Sequence, residues 1–293
     1  MKTSIILINK NEEGIKDTLN SLQKFEDKNL EIVVVDGSNH KFDQIKNKHK
    51  KVIWIDFQSN KNKITIPEQR NVGVKASTGD IIVFIDASCV PDNENWLKNL
   101  TNPIIKEKEK LVRGSLSNIP NYFVVTKKID EKVYVTESPT INMAISRDVF
   151  DRIGYFDESF SYGSDMDFSW RATHKGYFIR YVENAPLSHD FGTTKKNTKR
   201  YIHYGKARTK LYFNHPYYLS RIKNYEIQCL LYFLIILLTP IILVFPYYIF
   251  VLIAWGLFVS RGEPRREIPE RLGFAWGLIT GFFQELMIKI NQF

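Results

Sequence analysis

Two aspartates stand directly behind apolar segments of strand length: Asp36 follows Val35, and Asp86 follows Ile85. In an α/β sheet, ligands bind beyond the carboxyl ends of the strands, so these two carboxylates are placed to meet one ligand. A carboxylate there can accept hydrogen bonds from the hydroxyl or ring N–H groups of a bound molecule. An aspartate at a strand end also commonly forms a turn or caps a helix, and this alternative stays open.

The segments that must position these aspartates alternate between strand-like and helix-like patterns. Ile15, Leu19 and Leu22 recur at helical spacing, and a second helix is predicted over Glu68–Ala76 with Pro67 near its first turn. Four continuous apolar runs rich in β-branched residues predict buried parallel strands: Ser4–Ile8, Glu31–Val35, Val52–Ile55 and Ile81–Ile85. Strands separated by single helices imply right-handed βαβ units, so the predicted fold class is α/β with a mostly parallel sheet.

An ordered set of short motifs runs through this region and continues beyond it. The motifs are Glu31–Ser38, Gln69–Gly73, Ala76–Asp86, Asn142–Arg147, Gly154–Glu158, Ser164–Arg171, Gly176–Tyr177 and His189. In this order and spacing they resemble the family 2 glycosyltransferases with a GT-A fold, over about residues 3 to 190. The resemblance implies a Rossmann-like sheet and the transfer of a sugar from a nucleoside-diphosphate sugar.

The resemblance also implies which residues bind the nucleotide sugar. The candidates at matching positions are Asp36, Arg70, Asp86 and Asn142. The family's acid at position 36 contacts the base and the ribose. The Arg70 guanidinium could offer paired donors to phosphate oxygens. A surface salt bridge from Arg70 to Glu68 or Asp80 is the alternative.

A divalent cation, Mg or Mn, is implied by the family's Asp-x-Asp motif, which begins at Asp86. Here the motif reads Asp86-Ala87-Ser88, so a hydroxyl stands where the family has its second carboxylate. Because a hydroxyl is a weaker ligand, we expect a lower affinity for the metal. His189 could complete a metal set of Asp86, Ser88 and His189, or it could instead cap a loop or meet a phosphate.

The resemblance assigns the catalytic base to Asp165. An inverting transfer needs a carboxylate that removes the proton of the acceptor hydroxyl as its oxygen attacks the anomeric carbon. The family usually supplies it from a pair of acids before a helix, and here that pair reads Ser164-Asp165. Asp167 matches a further acid that is structural or faces the acceptor. The alternative for Asp165 is the N-cap of a helix over Met166–Lys175.

The C-terminal part has a different composition. The range Ile227–Ser260 has no charged residue and exceeds the roughly 20 residues that cross a bilayer, and a second apolar stretch covers Leu272–Ile290. We predict a catalytic domain over residues 1–215 and a membrane-associated segment over 216–293, the first stretch forming a hairpin or two crossings and the second an interfacial or membrane helix. A buried core helix is the alternative for the first stretch.

A basic run, Lys195–Lys210, precedes this segment and carries seven lysines and arginines. Such runs beside a membrane segment bind anionic headgroups, and this interpretation is preferred over nucleic-acid binding. The sharper hypothesis is that Arg200 or Tyr204 also reaches the donor diphosphate or a lipid-linked acceptor.

Bulk composition limits the remaining possibilities. The 293 residues carry a formal charge of +9, which suits anionic partners such as phosphates and lipid headgroups. Two distant cysteines exclude a disulfide framework. The first apolar run is too short for a secretion signal, so we expect the catalytic domain on the cytosolic side of a membrane.

Together these observations predict an inverting glycosyltransferase that acts on a lipid-linked or envelope glycan. The alternative is a non-catalytic membrane protein that binds a nucleotide sugar or a glycan, motivated by the altered Asp86-Ala87-Ser88 motif. The Gln-x-x-Arg-Trp signature of processive synthases is missing, which favours transfer of a single sugar. A nucleotidyltransferase lacks support because no glycine-rich phosphate loop occurs at the N-terminus.

Overall fold

The computed structural model describes residues 1–25, 28–60, 63–117, 125–189, 194–221, 225–238, 245, 247–251, 254 and 264–291. The chain divides into two compact units, Met1–Asp190 and Phe191–Phe293. The division therefore falls 25 residues before the boundary predicted at residue 215. Helix Thr194–Asn214 belongs to the second unit because it packs on a helix near the C-terminus.

Unit 1 contains ten strands among the described residues. They are β1 (Thr3–Asn9), β2 (Leu30–Asp36), β3 (Ile53–Asp56), β4 (Ile81–Asp86), β5 (Cys89–Pro91), β6 (Leu111–Leu116), β7 (Val125–Ile129), β8 (Lys132–Val135), β9 (Met143–Ser146) and β10 (Ile179–His189). All ten join one sheet in the order β3-β2-β1-β4-β9-β6-β10-β8-β7, with β5 paired to β10.

Helices connect these strands and form the second unit. Those in unit 1 are α1 (Ile15–Leu22), α2 (Asp43–Lys48), α3 (Ile66–Ala76), α4 (Trp96–Glu107), α5 (Asp148–Ile153) and α6 (Ser164–His174), with a 3-10 turn at Gln23–Phe25. Those described in unit 2 include α7 (Thr194–Asn214), α8 (Tyr225–Leu237) and α9 (Pro264–Ile290), with a 3-10 turn at Pro216–Arg221.

The half of the sheet that holds the two strand-end aspartates is parallel. Strands β3, β2, β1 and β4 pair in parallel, and the register sets Asn9 beside Asp36 and Ile8 beside Asp86. All four predicted runs form strands. Those of β1, β2 and β4 are largely buried, whereas β3 lies at the edge of the sheet with Ile53 41% exposed, so the predicted burial of that strand is wrong. Asp36 and Asp86 therefore lie at one edge of the sheet with β1 between them, roughly 10 Å apart across two strand spacings.

The other half of the sheet is mixed. Strand β9 runs antiparallel to both β4 and β6, whereas β6 pairs in parallel with β10. Beneath it lies an aromatic cluster of Phe84, Phe150, Phe156 and Phe168, in which the Phe156 and Phe168 ring centroids are 4.7 Å apart. This cluster joins β4 to the loop before α6, so hydrophobic packing sets where α6 begins.

In unit 2, helices α7 and α9 approach closely through glycines. A Cβ atom added at Gly205 would lie 2.1 Å from the carbonyl oxygen of Phe274, and one at Gly277 would lie 2.1 Å from that of Ile202. Gly281 likewise faces Lys206 of α7. No larger side chain fits at these crossings, because each would enter the backbone of the facing helix.

The predicted membrane segments are only partly described. The helix of the first stretch ends at Leu237, and residues 239–244, 246, 252–253 and 255–260 of that stretch lie outside the described residues. The second stretch forms the C-terminal part of α9. Within the described part of the chain, no helix combines the length and apolarity that a bilayer crossing requires. The membrane helices therefore stay a prediction.

Candidate active site

Asp36 ends strand β2 inside a hydrogen-bonded turn. Its Oδ1 accepts from the Asn9 side-chain amide and from the Ser38 backbone N–H, each at 3.1 Å, and the residue is only 3% exposed. Burial raises the pKa of the Asp36 carboxyl, while the hydrogen bonds from Ser38 and Asn9 oppose the shift. The turn-forming role is thus realised, and the predicted contact with the base and ribose stays a prediction.

Helix α3 carries three consecutive buried polar residues, Gln69, Arg70 and Asn71, that reach three different parts of the site. The helix begins in an acid-capped turn, in which the Thr65 backbone N–H donates to Glu68 at 3.4 Å. Successive helical residues point about 100° apart, so neighbours in sequence contact different walls. Gln69 and Asn71 were within a recognised motif, but no role was predicted for either.

Gln69 ties the ends of the first two strands together. Its side-chain amide donates to the carbonyl oxygen of Asn9 at 2.8 Å and to that of Val35 at 2.9 Å. Asn9 is the last residue of β1, and Val35 is the last but one of β2. Gln69 therefore holds the carboxyl ends of β1 and β2 together beside Asp36.

Arg70 is the charged centre of the site. It is 5% exposed, its Nη2 lies 3.6 Å from Asp86 Oδ1, and its guanidinium carbon lies 5.7 Å from the Phe156 ring centroid. Its Nε is buried and finds no hydrogen-bond partner within the described part of the chain. A buried donor of this kind normally has a partner, and an anion such as a phosphate would provide one.

The alternative salt bridges of Arg70 to Glu68 and Asp80 do not form in the described structure. Glu68 instead accepts from the Ser59 hydroxyl at 2.7 Å, and Asp80 accepts from the Lys2 backbone N–H at 2.8 Å. The guanidinium points toward the strand edge rather than the surface.

Asn71 holds the loop that leads to α6. Its side chain donates to the Phe156 carbonyl at 2.9 Å and accepts from the Phe156 N–H at 3.0 Å. It also donates to a carboxylate oxygen of Glu158 at 3.0 Å. Because the Asn71 side chain bonds to both the N–H and the C=O of Phe156, it fixes the loop against the helix that bears Arg70.

Asp165 lies in the first turn of α6 and is partly accessible to solvent. Helix α6 begins at Ser164, after Gly163 with φ +78°, so Asp165 is inside the helix and is not its N-cap. Burial raises the pKa of the Asp165 carboxyl, the charge of Arg70 and the N–H of Met166 lower it, and the charge of Asp86 raises it again. Arg70 is therefore close enough to interact with both Asp86 and Asp165.

Asp167, two residues further on, has an internal role. Its carboxylate pairs with Arg171 at 2.8 Å and is 2% exposed. Arg171 in turn donates to the carbonyl oxygens of Ile153 and Tyr155, so this pair fastens α6 to the end of α5. The structural interpretation of Asp167 is the one that these contacts favour.

The predicted metal set is spread around the turn between β4 and β5. The side chain of Asp86 is 34% exposed, Ser88 adopts φ +71°, and His189 stands opposite Cys89 in the pairing of β10 with β5. Ser88 packs against Gly14, where an added Cβ would lie 2.2 Å from its hydroxyl oxygen.

These residues fit a cation that takes few ligands from the protein. Mg²⁺ commonly binds one or two carboxylates and completes its shell with water and substrate phosphates. Among the described residues, a cluster of three His, Cys or carboxylate ligands within 4.8 Å occurs at His40, Asp43 and Asp56 on the surface, and no such cluster includes Asp86. Asp86 is thus the principal protein ligand that the site offers, with His189 on β10, the strand that pairs with β5 after the turn.

The prediction that Asn142 contacts the nucleotide requires correction. Asn142 is 0% exposed, its amide donates to the carbonyl oxygens of Ser115 and Ala185 at 2.7 and 2.8 Å, and its Oδ1 accepts from the Trp96 indole at 2.8 Å. Every polar atom of this side chain is therefore engaged inside the protein. Asn142 joins β6, α4 and β10, with φ +61°.

Arg200 lies in α7, within unit 2, and its side chain is partly exposed. The predicted contact of Arg200 with the donor or acceptor stays a prediction. Unit 1 by itself brings together Arg70, Asp86 and Asp165, with Asp36 on the same strand edge.

Comparison with known proteins identifies the architecture. The family model for glycosyl transferase family 2 matches residues 4–161, which is more than half of the chain. The chain belongs to glycosyl transferase family 2. A second model, glycosyl transferase family group 2, matches residues 125–259. Family membership confirms the recognition made from the ordered motifs.

Two characterised relatives of this family 2 chain are distant. Glycosyltransferase AglE of Haloferax volcanii is 25% identical over 153 residues, covering 49% of this chain and 50% of that protein. Pre-mycofactocin glycosyltransferase of Mycobacterium tuberculosis is 24% identical over 234 residues, covering 73% of this chain and 48% of that protein. The family 2 chain thus spans about half the length of these relatives.

Solved structures support the fold. S. aureus TarS in complex with UDP-GlcNAc superposes with a TM-score of 0.54 at 20% identity, covering 73% of this chain and 67% of that one. GalNAc-T7 with UDP, GalNAc and Mn²⁺ gives a TM-score of 0.56 at 17% identity, covering 71% of this chain and 51% of that one. At this identity the likeness establishes the GT-A-like mixed α/β fold of the family 2 chain.

Proposed function

We propose that this protein is an inverting glycosyltransferase that moves a sugar from a nucleoside-diphosphate sugar to a hydroxyl acceptor. The observation that carries the proposal is the position of Arg70, buried 3.6 Å from Asp86 and close enough to Asp165 to influence its ionisation. The Arg70 guanidinium thus interacts with two carboxylates, one at the carboxyl end of the sheet and one on α6. This arrangement suits a ligand that brings both a diphosphate and a reacting carbon.

Asp165 is the proposed catalytic base. Its carboxylate removes the proton of the acceptor hydroxyl, the freed oxygen forms a bond to the anomeric carbon, and the bond from that carbon to the diphosphate breaks. The nucleoside diphosphate leaves with the bonding electrons, and the anomeric configuration inverts. The raised pKa of Asp165 makes it a stronger base than an exposed aspartate, while Arg70 keeps the ionised form accessible.

The donor is proposed to lie against Asp36, Arg70 and Asp86. The buried Nε of Arg70 supports a phosphate contact there, since it has no hydrogen-bond partner among the described residues. A Mg²⁺ or Mn²⁺ ion held by Asp86, with Ser88 or His189 nearby, would neutralise charge on the diphosphate. The UDP complexes among the structural neighbours make uridine donors the first to test.

The acceptor is proposed to be a lipid-linked or envelope glycan at the cytosolic face of a membrane. Two features of unit 2 support this part. Helices α8 and α9 carry exposed large apolar residues, including Leu237 at 62% and Phe283 at 60%. Helix α7 carries the basic run that contains Arg200, which suits anionic headgroups and is proposed to assist at the donor or acceptor.

A purified-protein assay tests the transferase proposal. With Mg²⁺ or Mn²⁺ and a panel of UDP-, GDP- and dTDP-sugars, the protein should release nucleoside diphosphate, faster when a membrane extract supplies acceptor. Asp165→Asn should lower the rate of transfer about 100- to 10,000-fold, the usual range for loss of a general base. Donor affinity, measured by calorimetry, should change much less.

Asp151→Asn is the matched control, because Asp151 is an exposed aspartate of α5 outside the proposed site. It should keep the parental rate and melting temperature. If nucleotide sugars of the panel bind but none releases nucleoside diphosphate, even with the membrane extract present, the protein is instead a non-catalytic nucleotide-sugar-binding protein. Turnover that survives in Asp165→Asn would remove Asp165 from the mechanism.

A further inference from the structure

Unit 2 contains an apolar cavity of about 710 Å³ that is open to solvent on one side. Its wall is formed by residues of α7, α8, α9 and the 3-10 turn at Pro216–Arg221. The apolar part of the wall includes Phe213, Leu230, Leu278, Phe282 and Phe283. Every one of these residues lies within unit 2, and none of them belongs to the group of Arg70, Asp86 and Asp165 in unit 1.

The polar atoms in the wall are mostly engaged already. The Thr209 hydroxyl donates to the Leu278 carbonyl at 3.0 Å. The Tyr212 hydroxyl donates to Glu226 at 3.1 Å, and Arg208 pairs with the same carboxylate at 3.4 Å. The charge of Glu226 is therefore neutralised by a neighbouring arginine, and little hydrogen-bonding capacity is offered to an occupant.

Lys289 supplies the remaining charge of the wall. Its ammonium group lies 5.0 Å from the centroid of the Phe213 ring, and it is exposed to solvent. Within the part of the chain that the structure describes, no carboxylate pairs with Lys289. The cavity thus joins an apolar interior to a positive charge that forms no ion pair with any described carboxylate.

This combination decides which occupant fits. An extended peptide would bring backbone N–H and C=O groups into a wall that cannot satisfy them, and an unsatisfied polar group in apolar surroundings is costly. A hydrocarbon chain has no such groups, and an anionic head on that chain would meet Lys289. The charge and the wall together favour an anionic lipid over a peptide or a neutral chain.

We propose that this cavity binds the aliphatic chain of a lipid whose phosphate head group pairs with Lys289. As a binding site, it stands on the geometry of unit 2 alone. Its further assignment as the site for the lipid part of the acceptor rests on the proposed transferase function. The substrate class would then be a lipid phosphate or a lipid-linked diphosphate sugar.

Titration of the full-length protein with dodecyl phosphate below its micelle concentration tests the proposal. Calorimetry should detect binding of dodecyl phosphate, at least about tenfold weaker binding of dodecyltrimethylammonium, and no binding of inorganic phosphate alone. Lys289→Gln should weaken dodecyl phosphate binding several-fold without weakening that of the cationic amphiphile. Equal affinity for the two head groups would overturn the role of Lys289.

Two leucines one turn apart on α8 provide a matched pair. Both are exposed, Leu230 at 39% and Leu234 at 46%, but only Leu230 belongs to the cavity wall. Leu230→Glu should weaken dodecyl phosphate binding at least about tenfold, whereas Leu234→Glu should leave it within about twofold. Equal losses in the two variants would assign binding to the general apolar surface and overturn the cavity.

Photolabelling with a diazirine analogue of dodecyl phosphate identifies the contacted residues. We expect the label on α7, α8 and α9 at the cavity wall. Even labelling of all exposed apolar residues would contradict the proposal. A dimer in solution that dissociates in Leu230→Glu would assign the cavity to a second copy of the chain instead.

The donor assay separates this inference from the transferase proposal. Loss of dodecyl phosphate binding in Leu230→Glu, with release of nucleoside diphosphate from the donor unchanged in the absence of acceptor, is the expected combination. Donor turnover without any lipid binding in the parental protein would overturn only the cavity proposal. Lipid binding without donor turnover would overturn only the transferase proposal.

Discussion

The two units of this protein differ in what they bury and what they expose. Unit 1 encloses charged groups, with Arg70 at 5% and Asp36 at 3% exposure, whereas unit 2 presents apolar side chains such as Leu237 at 62% exposure. Buried charges and exposed apolar groups are both unfavourable unless a ligand or partner compensates them. Unit 1 therefore suits a polar, anionic ligand, and unit 2 suits an apolar one.

After the loss of Asp165 described above, the largest expected effect comes from removing the buried guanidinium of Arg70 in unit 1. Arg70→Met should lower the transfer rate about 100- to 1,000-fold, the range seen when one preorganised electrostatic contact is lost. Without the positive charge, the pKa of Asp165 should rise further, because the charge of Arg70 is the largest of the influences that lower it. The base must be deprotonated, so the acidic limb of the pH–rate profile should move to higher pH.

Arg70→Lys is the control for this prediction, because it keeps the charge while losing the guanidinium geometry. The acidic limb of the pH–rate profile of Arg70→Lys should stay near that of the parental protein, even if the transfer rate of the variant falls. Measured pH–rate profiles that coincide for Arg70→Met and the parental protein would show that Arg70 does not govern the ionisation of Asp165.

An intermediate effect is expected where unit 2 relies on close helix packing. Gly277→Val places a branched side chain where even a Cβ lies 2.1 Å from the Ile202 carbonyl, so α7 and α9 must separate. We expect a loss of about 3 kcal/mol in the free energy of unfolding of unit 2, at the upper end for overpacking. Calorimetric melting and hydrogen exchange of α7 and α9 measure this loss.

Gln284→Val on the same helix is the matched control, because residue 284 is exposed and receives the same side chain. It should cost only the small difference in helix propensity, well below 1 kcal/mol. Binding of UDP-sugar by Gly277→Val should stay at the parental level if unit 1 folds independently. A parental melting curve for Gly277→Val would show that the close approach is not required.

The smallest stability effect is expected at the exposed apolar surface of unit 2. Leu237→Ser should change the free energy of unfolding by no more than about 0.5 kcal/mol, because its side chain is already mostly in solvent. Leu100→Ser in unit 1, where the leucine is 0% exposed, should cost about 3 kcal/mol or more. Leu237→Ser should also reduce association with anionic vesicles, measured by flotation. Similar destabilisation by both substitutions would contradict the contrast between the units.

Much of unit 1 could be predicted from sequence because its signals are local. Continuous β-branched runs are typical of strands in a parallel sheet, and all four form strands, although the edge strand β3 is not buried on both faces. The placement of Asp36 and Asp86 at one edge follows directly from parallel pairing. The mixed half was not predicted, because the antiparallel insertion of β9 between β4 and β6 depends on long-range pairing that no local pattern records.

The site was predicted less completely because motif residues can face a ligand or the interior. Asn142 stands in a recognised motif, yet its side chain joins three elements of the core. Gln69 and Asn71 received no role, although their contacts organise both walls beside Arg70. Side-chain direction decides these cases. No sequence signal marked Gln69 and Asn71, because the polar run Glu68–Asn71 is equally typical of a solvent-exposed helix.

The order Gln69, Arg70, Asn71 carries a consequence for how this protein can change. Their partners sit on three separate segments, and each residue meets its own because of where the helix turn presents it. Inserting or deleting one residue between Thr65 and Gln69 would turn the whole triplet by about 100° and shift it about 1.5 Å. All three sets of contacts would be lost together. The segment between Thr65 and Gln69 should therefore tolerate substitutions far better than an insertion or a deletion.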